Sequence, residues 1–95
     1  MQIVKKAQAG SFESSDIMVL VEPSEKPGRY IEIDSSVDIQ FGEQIEYAIN
    51  RKLDELQVID IHLIAKDKGA LNLTICARVE TAVKRAAGVQ KGFIP

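Results

Sequence analysis

The chain is poor in the residues that most often carry chemistry. Its 95 residues include one cysteine, one histidine and no tryptophan. A lone cysteine, Cys76, excludes an intrachain disulfide and a cysteine-cluster metal site. One histidine, His62, beside scattered carboxylates lacks ligand spacing, so no metal is expected. A catalytic imidazole also needs a nucleophile and an orienting third group. The sequence places neither, so no catalytic residue is expected. Basic charge is scarce as well: the net charge is −2, which leaves no electrostatic footprint for nucleic acid. No apolar run approaches the ~20 residues of a membrane span. No charged-then-apolar leader is present, so the expectation is a cytoplasmic protein. Gly10, Gly28 and Gly69 read as turn residues, and none opens a helix after a strand as a phosphate loop does.

What is present reads as one domain, residues 1–95, because two cores in so short a chain would each be marginal. Hydrophobic residues make up 45% and charged residues 27%, ordinary for a globular protein. Ordering the chain costs on the order of 100–200 kcal/mol of conformational entropy. One compact core must offset that, so a large internal cavity is not expected. Residues 1–16 lack a period and end in the polar cluster Gly10 to Asp16, which reads as a flexible segment and exposed loop. A first strand follows over Ile17 to Glu22, with Ile17, Val19 and Val21 on one face. A Pro/Gly connection leads to a second, Arg29 to Asp34, and the two suggest an antiparallel hairpin. Ser35 and Asp38 resemble a capping box for a long helix. Its apolar stripe is Val37, Phe41, Ile45, Ala48, Ile49, Leu53 and Leu56. Val58 to Ala65 reads as a third strand and Asp67-Lys68-Gly69 as a tight turn. Leu71, Leu73, Ile75 and Ala77 alternate with Asn72, Thr74 and Cys76 as a fourth strand covered on one side only. A short helix over Val79 to Ala87 would end at Gly88, with 89–95 a frayed tail. The pattern is ββαββα. It predicts an α+β two-layer sandwich in which one long helix and one short C-terminal helix accompany a mostly antiparallel four-stranded sheet.

Few side chains then remain as candidates. His62 alternates with the apolar face of a predicted strand and reads as solvated or edge-facing. Cys76 reads as a small, partly buried hydrophobe with nothing nearby to lower its pKa. Ser14 and Ser15 sit in the polar loop between Glu13 and Asp16, and by composition alone they are loop serines. The residues by themselves support a small α+β domain that is not an enzyme, such as a non-catalytic ligand-binding or regulatory module.

Longer stretches say more. The run Ala9-Gly10-Ser11-Phe12-Glu13-Ser14-Ser15-Asp16-Ile17-Met18 resembles the N-terminal signature of citrate lyase acyl carrier (gamma) subunits. Two further segments are similar to the same family: Ser35-Ser36-Val37-Asp38-Ile39-Gln40-Phe41-Gly42, and Asp67-Lys68-Gly69-Ala70-Leu71. The latter is followed by Ala77-Arg78-Val79-Glu80 and then Arg85-Ala86. The matches occur in order and span nearly the whole chain.

The resemblance implies a covalent arm, a prosthetic group derived from triphosphoribosyl-dephospho-coenzyme A. It is attached as phosphoribosyl-dephospho-coenzyme A through a phosphodiester to a serine. The arm ends in a thiol that holds acetyl or citryl as a thioester while citrate is cleaved to acetate and oxaloacetate during citrate fermentation. Alignment of Glu-Ser-x-Asp places the attachment on Ser14, with Glu13 and Asp16 as the flanking recognition loop. The family usually has glycine where this chain has Ser15, which makes Ser15 a rival. The implied partners are the citrate lyase alpha and beta subunits and a prosthetic-group transferase. The chain itself would be a non-catalytic phosphoprotein subunit. Tethering converts encounters with two active sites into local ones, at effective concentrations of about millimolar.

Overall fold

The computed structural model describes residues 1–35 and 42–88. Four strands, β1 (Ala7–Ala9), β2 (Ile17–Glu22), β3 (Arg29–Ser35) and β4 (Ile61–Asp67), form one sheet in the order β1-β2-β4-β3. Helix α1 (Gly42–Glu55) lies between β3 and β4 in sequence, and α2 (Asn72–Ala87) follows β4. The β1–β2 and β2–β4 pairs are antiparallel, whereas β3 and β4 run parallel. A parallel pair needs a crossover of a dozen or more residues, and the α1 segment supplies it. The architecture is therefore α+β with a mixed sheet, in the element order βββαβα.

Both helices cover the same face of the sheet. Ile17, Val19 and Val21 of β2 register with Asp67, Ala65 and Leu63 of β4, and all six point into the helical layer and are buried. From α1 they meet Ile45, Ala48, Ile49 and Leu53, spaced i, i+3, i+4 and i+8 as one helical stripe requires. From α2 they meet Ile75, Val79, Ala82, Val83 and Ala86, a second stripe of the same period. Among the described residues the other face of the sheet carries no helix, and Tyr30 and Glu32 of β3 are exposed on it.

The expected elements need three corrections. The hairpin between Ile17–Glu22 and Arg29–Asp34 does not form, because β4 pairs with both strands and stands between them. Arg29 helps fix that arrangement: its guanidinium donates to the Val58 carbonyl at 3.0 and 2.6 Å and pairs with Asp54 at 2.9 Å. The fourth strand, Leu71 to Ala77, is instead the first half of α2. Leu71 and Leu73 are 75% and 85% exposed, so their alternation with Ile75 is incidental, and the stripe starting at Ile75 decides the structure. Ser35 is the last residue of β3, its hydroxyl donates to Asp67 at 3.0 Å, and the capping box expected from it falls on residues outside the described ones. Asp38, Val37 and Phe41 lie outside the described residues. Finally, the third strand begins at Ile61, two residues after the exposed Ile59.

Candidate functional site

The loop between β1 and β2, residues 10–16, is closed by contacts that only certain residues permit. Gly10 has φ +101°, and a Cβ there would lie 1.8 Å from the Ile17 carbonyl oxygen. Glycine is therefore required for the chain to leave β1 and return as β2. At the tip the Asp16 amide donates to the Glu13 carbonyl at 3.2 Å, a turn with Ser14 and Ser15 at its two central positions. Ser15 has φ +66°, the left-handed region that favours glycine. That conformation gives a physical reason for a glycine at this position. It also commits the Ser15 backbone to holding the turn.

The turn is pinned at both ends. The Ser15 amide donates to the Lys68 carbonyl at 2.8 Å, and the Lys68 amide donates to the Asp16 carbonyl at 2.9 Å. Asp16 then reaches across to α2, where Arg78 Nε donates to Oδ1 and a terminal nitrogen to Oδ2, both at 3.0 Å. This fork-to-fork geometry is the strong form of a charge-assisted pair. The Ser11 hydroxyl donates to Oδ2 at 2.6 Å, and the Ile17 amide donates to Oδ1 at 2.7 Å. The Arg78 guanidinium, followed by the Ser11 hydroxyl, holds the Asp16 carboxyl down at about 2. Asp67, at the end of β4, fixes the facing loop by accepting from the Gly69 and Ala70 amides at 3.1 and 3.0 Å.

Ser14 is exposed on this frame, and no hydrogen bond holds its hydroxyl among the described residues. Glu13 is exposed beside it, whereas Asp16 is a partly buried anchor. The residues expected to form the loop thus stand together, but the two acids differ in kind. Sequence reading gave no role to Arg78 or Lys68, although both lie in segments that carried the resemblance. Residues 1–16 were expected to be a flexible N-terminal segment and an attachment loop. Among them, Ala7–Ala9 form β1, Ile3 is buried, and the Val4 amide donates to the Ala86 carbonyl at 3.1 Å.

His62 is elsewhere and is not at an edge. It sits on the uncovered face of the inner strand β4, in register with Glu22 of β2 and Tyr30 of β3. Its Nδ1 lies 2.7 Å from a Glu22 oxygen and its Nε2 lies 2.5 Å from a Glu32 oxygen. The Glu32 contact, then the Glu22 contact, raises its pKa above the ordinary 6.5 against the opposing effect of burial. Glu22 lies at the far end of β2 from the loop, roughly 17 Å away at strand rise. The imidazole therefore cannot act as a base for Ser14. Cys76 is partly buried on α2, not on a strand.

A family model described as malonate decarboxylase delta subunit (MdcD), an acyl carrier protein family, matches residues 4–86. The citrate lyase acyl carrier protein of Yersinia enterocolitica is 45% identical over 92% of this chain and 90% of that protein. Its counterpart in Streptococcus mutans is 51% identical over 95% of this chain and 88% of that protein. The chain belongs to the citrate lyase acyl carrier protein family. A Pseudomonas malonate decarboxylase hetero-tetramer in complex with malonate contains a chain of the same fold. It superposes with a TM-score of 0.72 at 22% identity, covering 88% of this chain and 86% of that one.

Proposed function

We propose that this chain is the acyl carrier subunit of a citrate lyase and that Ser14 is the residue to which its prosthetic group is joined. The observation that carries the assignment is the Glu13–Asp16 turn, which presents the exposed Ser14 on a frame fixed by Lys68 and Arg78 while the Ser15 backbone is used to hold that frame. A carrier needs such a hydroxyl on a rigid body and no cleft of its own. Ser15 is the weaker candidate, because its left-handed backbone and its bond to Lys68 hold the turn.

The residues present fit a phosphodiester-linked arm. Ser14 is exposed, and Gly10 and Ser15 let the chain turn sharply enough to leave it at a corner. A phosphoribosyl-dephospho-coenzyme A arm, when attached, supplies a terminal thiol on which acyl groups are held as thioesters. This chain contributes the attachment oxygen and holds it in place. Asp16 is not a base for it: locked to Arg78 and kept ionised down to about pH 2, it is too weakly basic to deprotonate a hydroxyl. Activation of Ser14 therefore falls to a separate transferase, and citrate cleavage to alpha and beta partner subunits. The cytoplasm, where those partners would act, is the proposed location.

The test is to express the chain with its cognate transferase and measure intact mass, followed by peptide mapping. Ser14→Ala should remain unmodified and Ser15→Ala should gain the arm. Added mass mapped to Ser15 refutes the assignment. Purified from its native host, the chain should bring the alpha and beta subunits with it and be inactive alone. Citrate cleavage by the isolated chain overturns the carrier reading.

A further inference from the structure

Beside the attachment turn lies a small groove of about 220 Å³, lined by Phe12, Asp34, Lys66, Asp67 and Lys68. From it we infer that the carrier has a resting seat for the proximal, phosphoribosyl-adenine end of its own arm, with Lys66 and Lys68 facing phosphate and Phe12 facing the purine. The inference rests on the proposed attachment at Ser14 and adds where the arm goes when no partner holds it.

Position comes first. Lys68 accepts the Ser15 amide through its carbonyl, so one wall of the groove is hydrogen-bonded to the residue next to the attachment point. Phe12 is two residues before Ser14, and its side chain is 59% exposed although nothing in the fold requires an aromatic in solvent there. An exposed ring is a platform on which a base can stack without sequence-specific contacts. The groove is also smaller than the roughly 300–1,000 Å³ of sites that enclose a whole drug-sized ligand. It therefore suits one end of the arm and leaves the thiol end free.

Charge points the same way. Of the acids around the turn, Asp16 is neutralised by Arg78, and the buried Asp67 spends its oxygens on the Gly69 and Ala70 amides and the Ser35 hydroxyl. Asp34 is in register with Lys66 across the β3–β4 pair, yet no ion pair forms between them. Lys66 and Lys68 make no ion pair with any carboxylate among the described residues. An ammonium group attracts a phosphate that comes within a Debye length of it, about 8 Å, and Asp34 tempers that attraction. A tether supplies about millimolar effective concentration, so a seat of only millimolar affinity is half-occupied and still yields the arm to a partner.

The experiment titrates free dephospho-coenzyme A into the full, unmodified chain and follows its amide NMR spectrum. Phe12, Lys66 and Lys68 should shift with a midpoint of about millimolar. Lys68→Glu should weaken binding about tenfold while keeping the backbone bonds to the turn. Phe12→Leu, at an exposed position, should reduce the shifts in a chain that still folds. Pantetheine, which lacks phosphate and purine, should leave the three residues unmoved. Absence of shifts well above millimolar, or shifts indifferent to Lys68→Glu, overturns the seat. Because the probe is free, this result is independent of attachment. A chain that binds it but never gains the arm by intact mass refutes the Ser14 reading and leaves the groove assignment standing.

Discussion

The Asp16–Arg78 pair makes a quantitative demand on stability. Asp16 titrates near 3.8 in an unfolded chain and at about 2 when folded, because Arg78 and then Ser11 donate to its carboxylate. That depression corresponds to about 2 kcal/mol of folded-state stabilisation. The Asp16 side chain is only 14% exposed, but Arg78 is 41% exposed, so solvent screening makes this figure an upper limit. The stabilisation is complete at pH values above the unfolded value and disappears as pH falls through about 2. Asp16→Asn should therefore lower stability by about 1–2 kcal/mol near neutrality, a fall in melting temperature of roughly 4–16 °C for a domain of this size. The gap between the two proteins should close as the pH drops, because a protonated Asp16 resembles the amide. Urea denaturation of both chains across the acid range measures this directly. A gap that stays constant from neutrality to pH 2 would show that the loss is packing, not ionisation, and would refute the argument. Arg78→Gln should reproduce most of the neutral-pH loss, and the double variant should cost less than the sum.

Further outcomes follow from the same contacts. His62 gains two carboxylate partners, so its contribution is present below its ordinary pKa and is lost as pH rises through the raised one. The stability difference between the native chain and His62→Gln should thus shrink as pH rises above the ordinary 6.5, and a difference that grows contradicts the imidazolium assignment. Gly10→Ala places a methyl on the Ile17 carbonyl and should open the β1–β2 loop, seen as lost amide protection at residues 10–17. Gly69, at φ +93°, should not accept valine without a fall in denaturation midpoint. Leu53 is fully buried in α1, and Leu53→Ala should cost about 2–5 kcal/mol by chemical denaturation.

What could be read from the residues divides along a physical line. Local periodicity found β2, β3, β4 and most of α1, because each buries one face against the rest, and the alternation of Ile31 and Ile33 with Tyr30 and Glu32 records that directly. Pairing partners were not legible. Antiparallel neighbours were expected from a short Pro/Gly connection, yet β4 carries buried residues at every second position and is paired on both edges, which the strand's own pattern does not reveal. Two alternating leucines imitated a strand at the start of α2, because short apolar runs suit either period until their length is counted. β1, three residues with two alanines, has almost no strand propensity and is held by its pairing with β2. The candidate site was visible only as a polar loop, and the resemblance singled out Ser14.

The structure also changes how charge acts at that loop. With Glu13 and Asp16 both counted as free carboxylates, the turn would repel an anionic arm and keep it extended. Asp16 is instead consumed by Arg78, and only Glu13 remains as an exposed acid in the turn. Lys68 lies against the same turn with its ammonium uncommitted among the described residues. The local balance therefore moves from repulsion towards weak attraction, and the sign is testable by salt. If the turn repels, added salt should reduce the phosphorus NMR mobility of a modified chain's arm. If it attracts, salt should release the arm, with the change concentrated at ionic strengths where the Debye length exceeds about 8 Å. Arm mobility that falls as salt rises would restore the repulsive picture and remove the charge argument for a seat at Lys66 and Lys68.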